Sequence, residues 1–334
     1  MKRISNRSTV LGVLLCAFVM LFGTLADAAT LTAHSVYSDA HYQVQGLHLM
    51  ADRVKELTGG SLELNIISGG ALGYRGPDLL RVVGEGQLDI SEIVSTGLTG
   101  TSQIFGVRSL PMLLSGWEDA KLFNDIARPF YEELCDKADQ KLLIVSSWPF
   151  ADLWSVKAGE KVEDLKGLKV RTYDRSGALL VEAFGGTPLA LPLAELYTAF
   201  STGLVQATIS SAVSAKESNI YEVSKYLIPL QVTSSSSIVT INKDAWNKLS
   251  EEQQNALIQA AAETEAWLNE KVEEVVDEDM AAIKAGNPKL EFLTMSPEFR
   301  KEIEALGAKI AEDFLNQNPE AKPLYDAFMD AKNQ

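Results

Sequence analysis

The chain has 334 residues, of which 45 are acidic and 30 are basic, for a formal net charge of −15 at pH 7. A surface this acidic repels nucleic acid and anionic membranes, so neither is an expected partner. The length suffices for two domains that each bury a core of their own.

The first 28 residues have the pattern of an export signal. Lys2, Arg3 and Arg7 give a basic start, Val10–Leu25 is almost entirely apolar, and Ala26–Ala28 fits a small-x-small cleavage site. The apolar run is shorter than the ~20 residues that a membrane-spanning helix needs, which argues against an anchor. Removing three basic residues and one acidic residue changes the net charge from −15 to −17. We therefore expect an exported protein, cleaved after about Ala28.

Strand and helix patterns alternate near the start of the predicted mature chain. Thr30–Val36 alternates like a strand, Tyr42–Leu57 has helical spacing, and Leu62–Ile66 alternates again. The glycine pair at 59–60 is expected to stop the helix. A strand, a helix and a strand at these lengths predict a βαβ unit with a parallel pair.

Two loops farther along are candidate ligand contacts. A predicted strand ends at Val94, so Ser95 and Thr96 follow its carboxyl end, where open α/β sheets bind their ligands. The aromatic stretch at 148–154 contains Trp148 and Phe150, which either pack in the core or form the wall of a pocket.

Arg171 is the strongest candidate for binding an anion. It closes the segment Asp164–Arg171, in which Gly167 permits a reversal and the apolar residues that follow alternate like a strand. A guanidinium offers a rigid fork of donors that fits a carboxylate through two hydrogen bonds. The alternative is a solvated or ion-paired surface arginine, since most arginines lie at the surface.

One helix is predicted to be much longer than the rest. Ser250 and Gln253 form a capping box, and the sequence contains no glycine or proline after it until Gly286. About 35 helical residues extend roughly 50 Å at 1.5 Å per residue. Such a helix either braces two domains or is an ordinary long surface helix.

The sequence offers no constellation of catalytic or metal-binding residues. After signal removal one cysteine remains, Cys135, on an apolar helical stripe that suggests a structural role. His34, His41 and His48 are spaced by seven, or ~10.5 Å along a helix, too far to share a metal. No Walker loop, GxSxG elbow or GxGxxG motif occurs. We expect no catalytic residue, metal or cofactor. The alternative of an exported enzyme has no residues in this sequence to which catalysis could be assigned.

Three segments together resemble the periplasmic solute receptors of tripartite ATP-independent periplasmic (TRAP) transporters. They are Asp164–Arg171, the pair Gly185–Gly186, and Pro192–Gly203. In that family the arginine that closes the first segment clamps the substrate carboxylate, and Arg171 is the matching position. The likeness extends over nearly the whole mature chain.

The resemblance implies a two-lobed α/β fold, the type II-like periplasmic binding protein fold, with the long helix bracing both lobes. We expect lobe I to comprise 29–150 plus about 237–276, and lobe II to comprise 151–236 plus about 277–334. The serine-rich segment 233–237 has the composition of a linker, but the resemblance implies a hinge strand there.

The resemblance also implies a set of ligand-binding residues. Two of the departures from the family pattern bear on the ligand: Leu153 stands where many members carry a second arginine, and Ser210 stands where an asparagine is usual. Serine-bearing versions occur in a branch whose ligands include aromatic monocarboxylates, so an apolar or aromatic monocarboxylate is the expected ligand. The implied contacts are Arg171, the wall residues Trp148, Phe150, Tyr173 and Leu193, and the hydroxyls of Ser95, Thr96, Ser210 and Ser211.

Alternatives remain open for the ligand and the partner. The ligand could instead be a small dicarboxylate, keto acid or hydroxy acid. The receptor could feed a signalling partner rather than the membrane subunits of a TRAP transporter. We expect a monomer with no nucleic-acid partner.

Overall fold

The computed structural model describes residues 28–74 and 76–333, which form a mixed α/β fold with two sheets. The predicted export signal lies outside the described residues, apart from its last residue. No helix in the described ranges combines the length and the apolar character needed to cross a membrane.

Strands and helices alternate through most of the chain. The strands are β1 (Ala29–His34), β2 (Leu62–Ile67), β3 (Ile90–Val94), β4 (Gln140–Ser147), β5 (Ala151–Ser155), β6 (Lys169–Thr172), β7 (Thr187–Ala190), β8 (Ala207–Ser210), β9 (Tyr226–Thr233), β10 (Ser236–Asn242) and β11 (Glu291–Phe292). The α-helices are α1 (Tyr42–Leu57), α2 (Asp78–Gly84), α3 (Trp117–Lys137), α4 (Val162–Leu165), α5 (Arg175–Ala183), α6 (Leu196–Ser201), α7 (Ala212–Glu217), α8 (Lys243–Asn247), α9 (Glu251–Gly286), α10 (Pro297–Gln317) and α11 (Lys322–Lys332).

The two sheets form two lobes that are joined by short crossing segments. The first sheet has the strand order β2-β1-β3-β10-β4 and the second has the order β11-β9-β5-β8-β6-β7. The chain leaves the first sheet at 148–150, between β4 and β5, and returns at 234–235, between β9 and β10. The two crossing segments lie side by side. The backbone amide of Trp148 in one donates a hydrogen bond of 2.9 Å to the carbonyl oxygen of Ser235 in the other. The predicted two-lobed α/β fold class is confirmed.

The first βαβ unit forms where the sequence pattern predicts it. β1 and β2 pair in parallel, and α1 has the predicted bounds. Gly59 and Gly60 have φ values of 58° and 84°, a region that glycine adopts readily, and they reverse the chain after the helix. The apolar side of α1 packs into the core of the first sheet through Leu47, Met50 and Val54.

The long helix α9 contacts both lobes. It has 36 residues and begins at the predicted capping box of Ser250 and Gln253. Leu257 and Leu268, in its first half, pack in the core of the first sheet, whereas Ile283 packs near its end with Trp154 of the second sheet. The helix therefore packs against both lobes, as predicted for a helix that braces them.

The last helix departs from the predicted lobe assignment. Leu324 and Phe328 of α11 are fully buried in the core of the first sheet, where the Phe328 ring meets Phe123 of α3 at 5.2 Å between centroids. The expected assignment places about 277–334 in the second lobe as one block. Phe299 and Ile303 of α10 do pack there, so the C-terminal helices are divided between the lobes.

Candidate ligand-binding site

A cavity of about 190 Å³ lies between the lobes, beside the two crossing segments. Sites for drug-sized ligands measure ~300–1,000 Å³, so this cavity fits a compact molecule. The structure brings most of the predicted contacts together around it. Those that line the cavity are Thr96, Trp148, Arg171, Tyr173, Leu193, Ser210 and Ser211.

Arg171 is held in the cavity wall by the neighbouring backbone. It lies on β6, its residue is only 6% exposed, and its Nε donates a hydrogen bond of 3.0 Å to the Leu191 carbonyl oxygen. Within the described residues the two terminal nitrogens, Nη1 and Nη2, have no hydrogen-bond partner. Burial lowers the pKa of Arg171, because a desolvated guanidinium is less stable than a hydrated one. A bound carboxylate would offset that penalty.

The local sequence explains how Arg171 reaches this position. Gly167 has a φ of 73°, which provides the predicted reversal before β6. Val170 then packs in the core of the second sheet. The strand is fixed on both sides, since Arg171 is paired with Leu189 of β7 and Thr208 of β8.

Two serines bring hydroxyl groups to the same cavity. Ser210 ends β8, and its carbonyl oxygen accepts a hydrogen bond of 2.9 Å from the Trp154 indole. Ser211 caps α7, since its Oγ accepts from the Ser214 amide at 3.2 Å. Among the described residues the Ser210 hydroxyl has no hydrogen-bond partner, so it can serve a ligand.

Aromatic rings form much of the remaining wall. The Trp148 ring lies 5.1 Å from the Tyr37 ring, centroid to centroid, and 5.1 Å from the His41 ring. Tyr173 is fixed by a hydrogen bond of 2.7 Å between its hydroxyl and Thr233 Oγ1. Leu193 adds an apolar side chain.

Phe150 and Ser95 do not line the cavity, contrary to the sequence analysis. Phe150 is 8% exposed and packs in the core, with its ring 5.1 Å from that of Trp117. Ser95 is fully buried, and its Oγ lies 3.3 Å from both the Ser235 Oγ and the Ser236 amide. Ser95 therefore contacts a crossing segment through its side chain.

Leu153 also lies elsewhere than the resemblance implied. It is fully buried in the core of the second sheet, where β5 pairs it with Ile209 and Ile228. Its identity therefore does not decide the charge of the cavity. Arg171 is nevertheless the only basic residue among the described residues that line the cavity.

Several lining residues were missed by the sequence analysis. Tyr37 follows the carboxyl end of β1, so its place at a strand end was a usable signal. Glu217 is the last residue of α7 and carries the one acidic side chain among the described lining residues. Nothing in the local pattern distinguishes it from other surface carboxylates. The others are Val94, Pro149, Ala151, Ser214 and Ser235.

A larger space of about 840 Å³ adjoins the cavity and is also lined by both lobes. The two share Tyr37, Val94, Thr96 and Tyr173. The larger space also has charged lining residues, and burial raises the pKa of one of them, Asp174, to about 6.

A buried carboxyl lies on the strand that leads to Thr96. Glu92 of β3 is 1% exposed and accepts a hydrogen bond of 3.0 Å from the Ser35 hydroxyl, and Ser237 donates to its other oxygen. Burial raises the pKa of Glu92 to about 7. In the described ranges there is no group of three or more His, Cys, Asp or Glu side chains that could hold a metal ion.

The matching family model and two relatives of this chain are described as extracellular or periplasmic binding proteins. The family model described as bacterial extracellular solute-binding protein, family 7, matches residues 32–318. The ectoine/5-hydroxyectoine-binding periplasmic protein UehA of Ruegeria pomeroyi is 25% identical over 307 residues, which cover 88% of this chain and 87% of the relative. The 2,3-diketo-L-gulonate-binding periplasmic protein YiaO of Escherichia coli is 26% identical over 295 residues, which cover 85% and 88%.

Solved structures share the whole fold. DctP7, an extracytoplasmic solute receptor of Bordetella pertussis solved binding pyroglutamic acid, superposes with a TM-score of 0.83 at 26% identity. The match covers 90% of this chain and 100% of that one.

Proposed function

Because the chain belongs to the bacterial extracellular solute-binding proteins of family 7, the receptors of TRAP transporters, we propose that it captures one small organic acid and delivers it to a TRAP membrane transporter. Receptors of this family bind small organic acids and work with membrane components. The proposal for this chain adds the residues that hold the acid and the kind of acid that fits.

The observation that carries the proposal is the half-satisfied guanidinium of Arg171. Its Nε is bound to the Leu191 carbonyl oxygen, and its terminal nitrogens have no partner within the described chain. It lines a cavity to which both lobes contribute. Arg171 would bind one carboxylate through two parallel hydrogen bonds, with the Ser210 hydroxyl beside it.

We propose that the ligand is a monocarboxylate with a compact apolar or aromatic body. A single cation among the described lining residues matches one carboxylate. Trp148, Tyr37, Tyr173 and Leu193 would cover the rest of the molecule. The volume of about 190 Å³ limits its size, and the pyroglutamic acid named for the DctP7 structure is a compact ring carboxylate of this kind.

A hydroxy acid, keto acid or small dicarboxylate is the second candidate. The observation in its favour is the number of hydroxyl groups on the lining, which includes Thr96, Ser210, Ser211, Ser214 and Ser235. The 2,3-diketo-L-gulonate named for YiaO is a ligand rich in oxygen atoms. Competition between cyclic monocarboxylates and succinate or malate separates the two candidates.

We further propose that the lobes close around the ligand. Lobe I would comprise 29–150 and about 237–276, together with α11, and lobe II would comprise 151–236 and most of the remainder. The crossing segments at 148–150 and 234–235 would act as the hinge. Because the cavity lining comes from both sides, a ligand held there would stabilise the closed form.

The family is extracytoplasmic, which supports export of this chain. We propose cleavage after about Ala28 and a monomeric receptor without enzymatic activity. The proposed partners are the ligand and the membrane subunits of the transporter.

A thermal-shift screen of organic acids tests the proposal, followed by mass spectrometry of any acid carried through purification. A ligand at 100 times its dissociation constant stabilises the folded protein by about 2.7 kcal/mol. We expect a compact monocarboxylate to raise the unfolding temperature without being converted. Turnover of the acid, or no stabilisation by any carboxylate, would contradict the proposal.

A further inference from the structure

Two charged side chains of opposite sign line the 190 Å³ cavity among the described residues. Arg171 lies on β6, and Glu217 is the last residue of α7. They form no ion pair with each other, since Arg171 makes its one side-chain hydrogen bond within the described chain to Leu191. The cavity therefore presents a cation at one place and a separate anion at another.

Helix α7 determines where Glu217 lies relative to Arg171 in the cavity lining. Ser211, Ser214 and Glu217 all line the cavity and are spaced by three, so they lie along one side of α7. Six residues of helix advance ~9 Å along the axis. Ser211 adjoins Ser210 at the end of β8, the strand that pairs with β6 at Arg171. Glu217 therefore lies at the far end of a polar stripe that starts near Arg171.

The carboxylate of Glu217 is not used by the protein within the described ranges. It has no hydrogen bond and no ion pair there, whereas the nearby amines are engaged: Lys216 pairs with Asp279, and Lys271 pairs with Glu274 at 2.8 Å. Glu217 is an exposed residue at the mouth of the cavity, where a neighbouring groove meets it. Burial is the main cause of the raised pKa of Tyr37, which lines the same cavity from the other lobe, and the negative charges of Glu92 and, last, Glu217 add to it.

An ionised carboxylate only accepts hydrogen bonds, so it favours a ligand that donates them. A second carboxylate on the ligand would instead meet like charge, which is unfavourable. We propose that Glu217 accepts a hydrogen bond from an N–H group of the ligand. The receptor then selects a compact amino acid whose N–H group is separated from its carboxylate by several bonds, so that the carboxylate binds Arg171 while the N–H group reaches toward Glu217. This inference rests on the proposed function and narrows its ligand class.

Matched ligands that differ at one atom test the assignment. The panel pairs cyclohexanecarboxylate with piperidine-4-carboxylate, whose N–H group lies across the ring from the carboxylate, and with piperidine-2-carboxylate, whose N–H group lies next to it, while glutarate represents the dicarboxylates. We expect piperidine-4-carboxylate to bind the purified mature receptor more tightly than both cyclohexanecarboxylate and piperidine-2-carboxylate.

The variant Glu217→Ala supplies the second arm. It should weaken binding of piperidine-4-carboxylate about 10- to 100-fold, since a hydrogen bond to a charged group contributes ~1.5–3 kcal/mol. Glutarate should bind the variant better than the wild type, because the like charge is gone. Glu182→Ala, an exposed residue of α5 outside the cavity lining, is the matched control and should leave both affinities unchanged.

The outcomes separate this inference from the proposed function. Equal binding of carbocyclic and N–H acids, with no effect of Glu217→Ala, would overturn the role of Glu217 and leave the organic-acid receptor intact. Absence of binding by every carboxylate of the panel would contradict both.

Discussion

Arg171 is anchored by its inner nitrogen alone: Nε donates to the Leu191 carbonyl oxygen over 3.0 Å. Leu191 follows directly after β7, so the neighbouring strand fixes the side chain without using the fork of the guanidinium. Both terminal nitrogens lack a protein partner within the described chain, which leaves a positioned donor pair for a carboxylate.

A second buried arginine provides the contrast. Arg108 is fully buried, and its terminal nitrogens donate to Asn124 Oδ1 at 2.8 Å, the Ala120 carbonyl oxygen at 2.9 Å, Ser147 Oγ at 3.1 Å and Ser234 Oγ at 3.4 Å. Ser147 and Ser234 adjoin or lie in the two crossing segments. The terminal nitrogens of Arg108 are therefore satisfied by the protein and connect the crossings, whereas its buried Nε has no partner among the described residues.

Replacing Arg108 should destabilise the fold. Arg108→Ala removes hydrogen bonds to four buried acceptors, of which Asn124 Oδ1 and Ser147 Oγ keep another donor, and creates a cavity beside Phe123. The lost hydrogen bonds and the cavity each cost about 1–3 kcal/mol or more. We expect chemical denaturation to show a loss of about 3 kcal/mol in the free energy of unfolding. Wild-type stability of this variant would show that the network contributes little.

Stability should depend on pH through Glu92. Its pKa is raised from the ordinary 4.5 to about 7 in the folded protein, so the folded state binds this proton more readily than the unfolded state. The resulting stabilisation is fully present below about pH 4.5 and is lost as the pH rises through about 7. Glu92→Gln should therefore reduce the decline in unfolding free energy between pH 5 and 8. An identical decline in the variant would contradict the assignment.

A second variant tests whether another carboxyl group with a raised pKa contributes to the same decline in unfolding free energy. Burial also raises the pKa of Asp152 to about 7, and its Oδ1 accepts a hydrogen bond of 2.9 Å from the Gln231 amide. Asp152→Asn should reduce the decline in the same pH range. Glu182→Ala, at an exposed position, should leave it unchanged.

Ligand binding should compact the protein. The cavity is lined from both lobes, so a bound acid favours the closed arrangement. Small-angle scattering should show a smaller radius of gyration at saturation with the acid that the screen identifies. The same acid should not compact Arg171→Ala at that concentration, whereas an unchanged radius in the wild type would argue against closure.

Local patterns predicted the elements that depend on their own sequence. The capping box of Ser250 marked the start of α9, and the glycines at 59–60 marked the end of α1. The strand-end position of Arg171 predicted a side chain at the carboxyl edge of the sheet, and the structure places it in the cavity lining. In each case the deciding information lies within a few residues of the feature.

The errors arose where packing between distant segments decides. Trp148 faces the cavity while Phe150 packs against Trp117, and a crossing segment gives no periodicity from which to choose between them. Leu153 was assigned by resemblance to a lining position, yet successive side chains of a strand point to opposite faces, so a shift of one residue reverses the result. The docking of α11 on α3 depends on contacts within one lobe between segments far apart in the sequence, and the exposure of Glu217 to the cavity depends on how the lobes meet.

The most direct test of the account is calorimetric titration of Arg171→Ala and Arg171→Lys with the acid identified in the screen. Removing one partner of a desolvated charge pair costs ~2–5 kcal/mol, so Arg171→Ala should weaken binding about 30- to 4,000-fold at 1.4 kcal/mol per tenfold. Arg171→Lys should also bind poorly, because an ammonium keeps the charge and loses the fork. Arg81→Ala, at an exposed arginine of α2 that lines neither the cavity nor the adjoining space, serves as the control and should bind normally. Near wild-type affinity of Arg171→Ala would contradict the central claim that this guanidinium holds the ligand carboxylate.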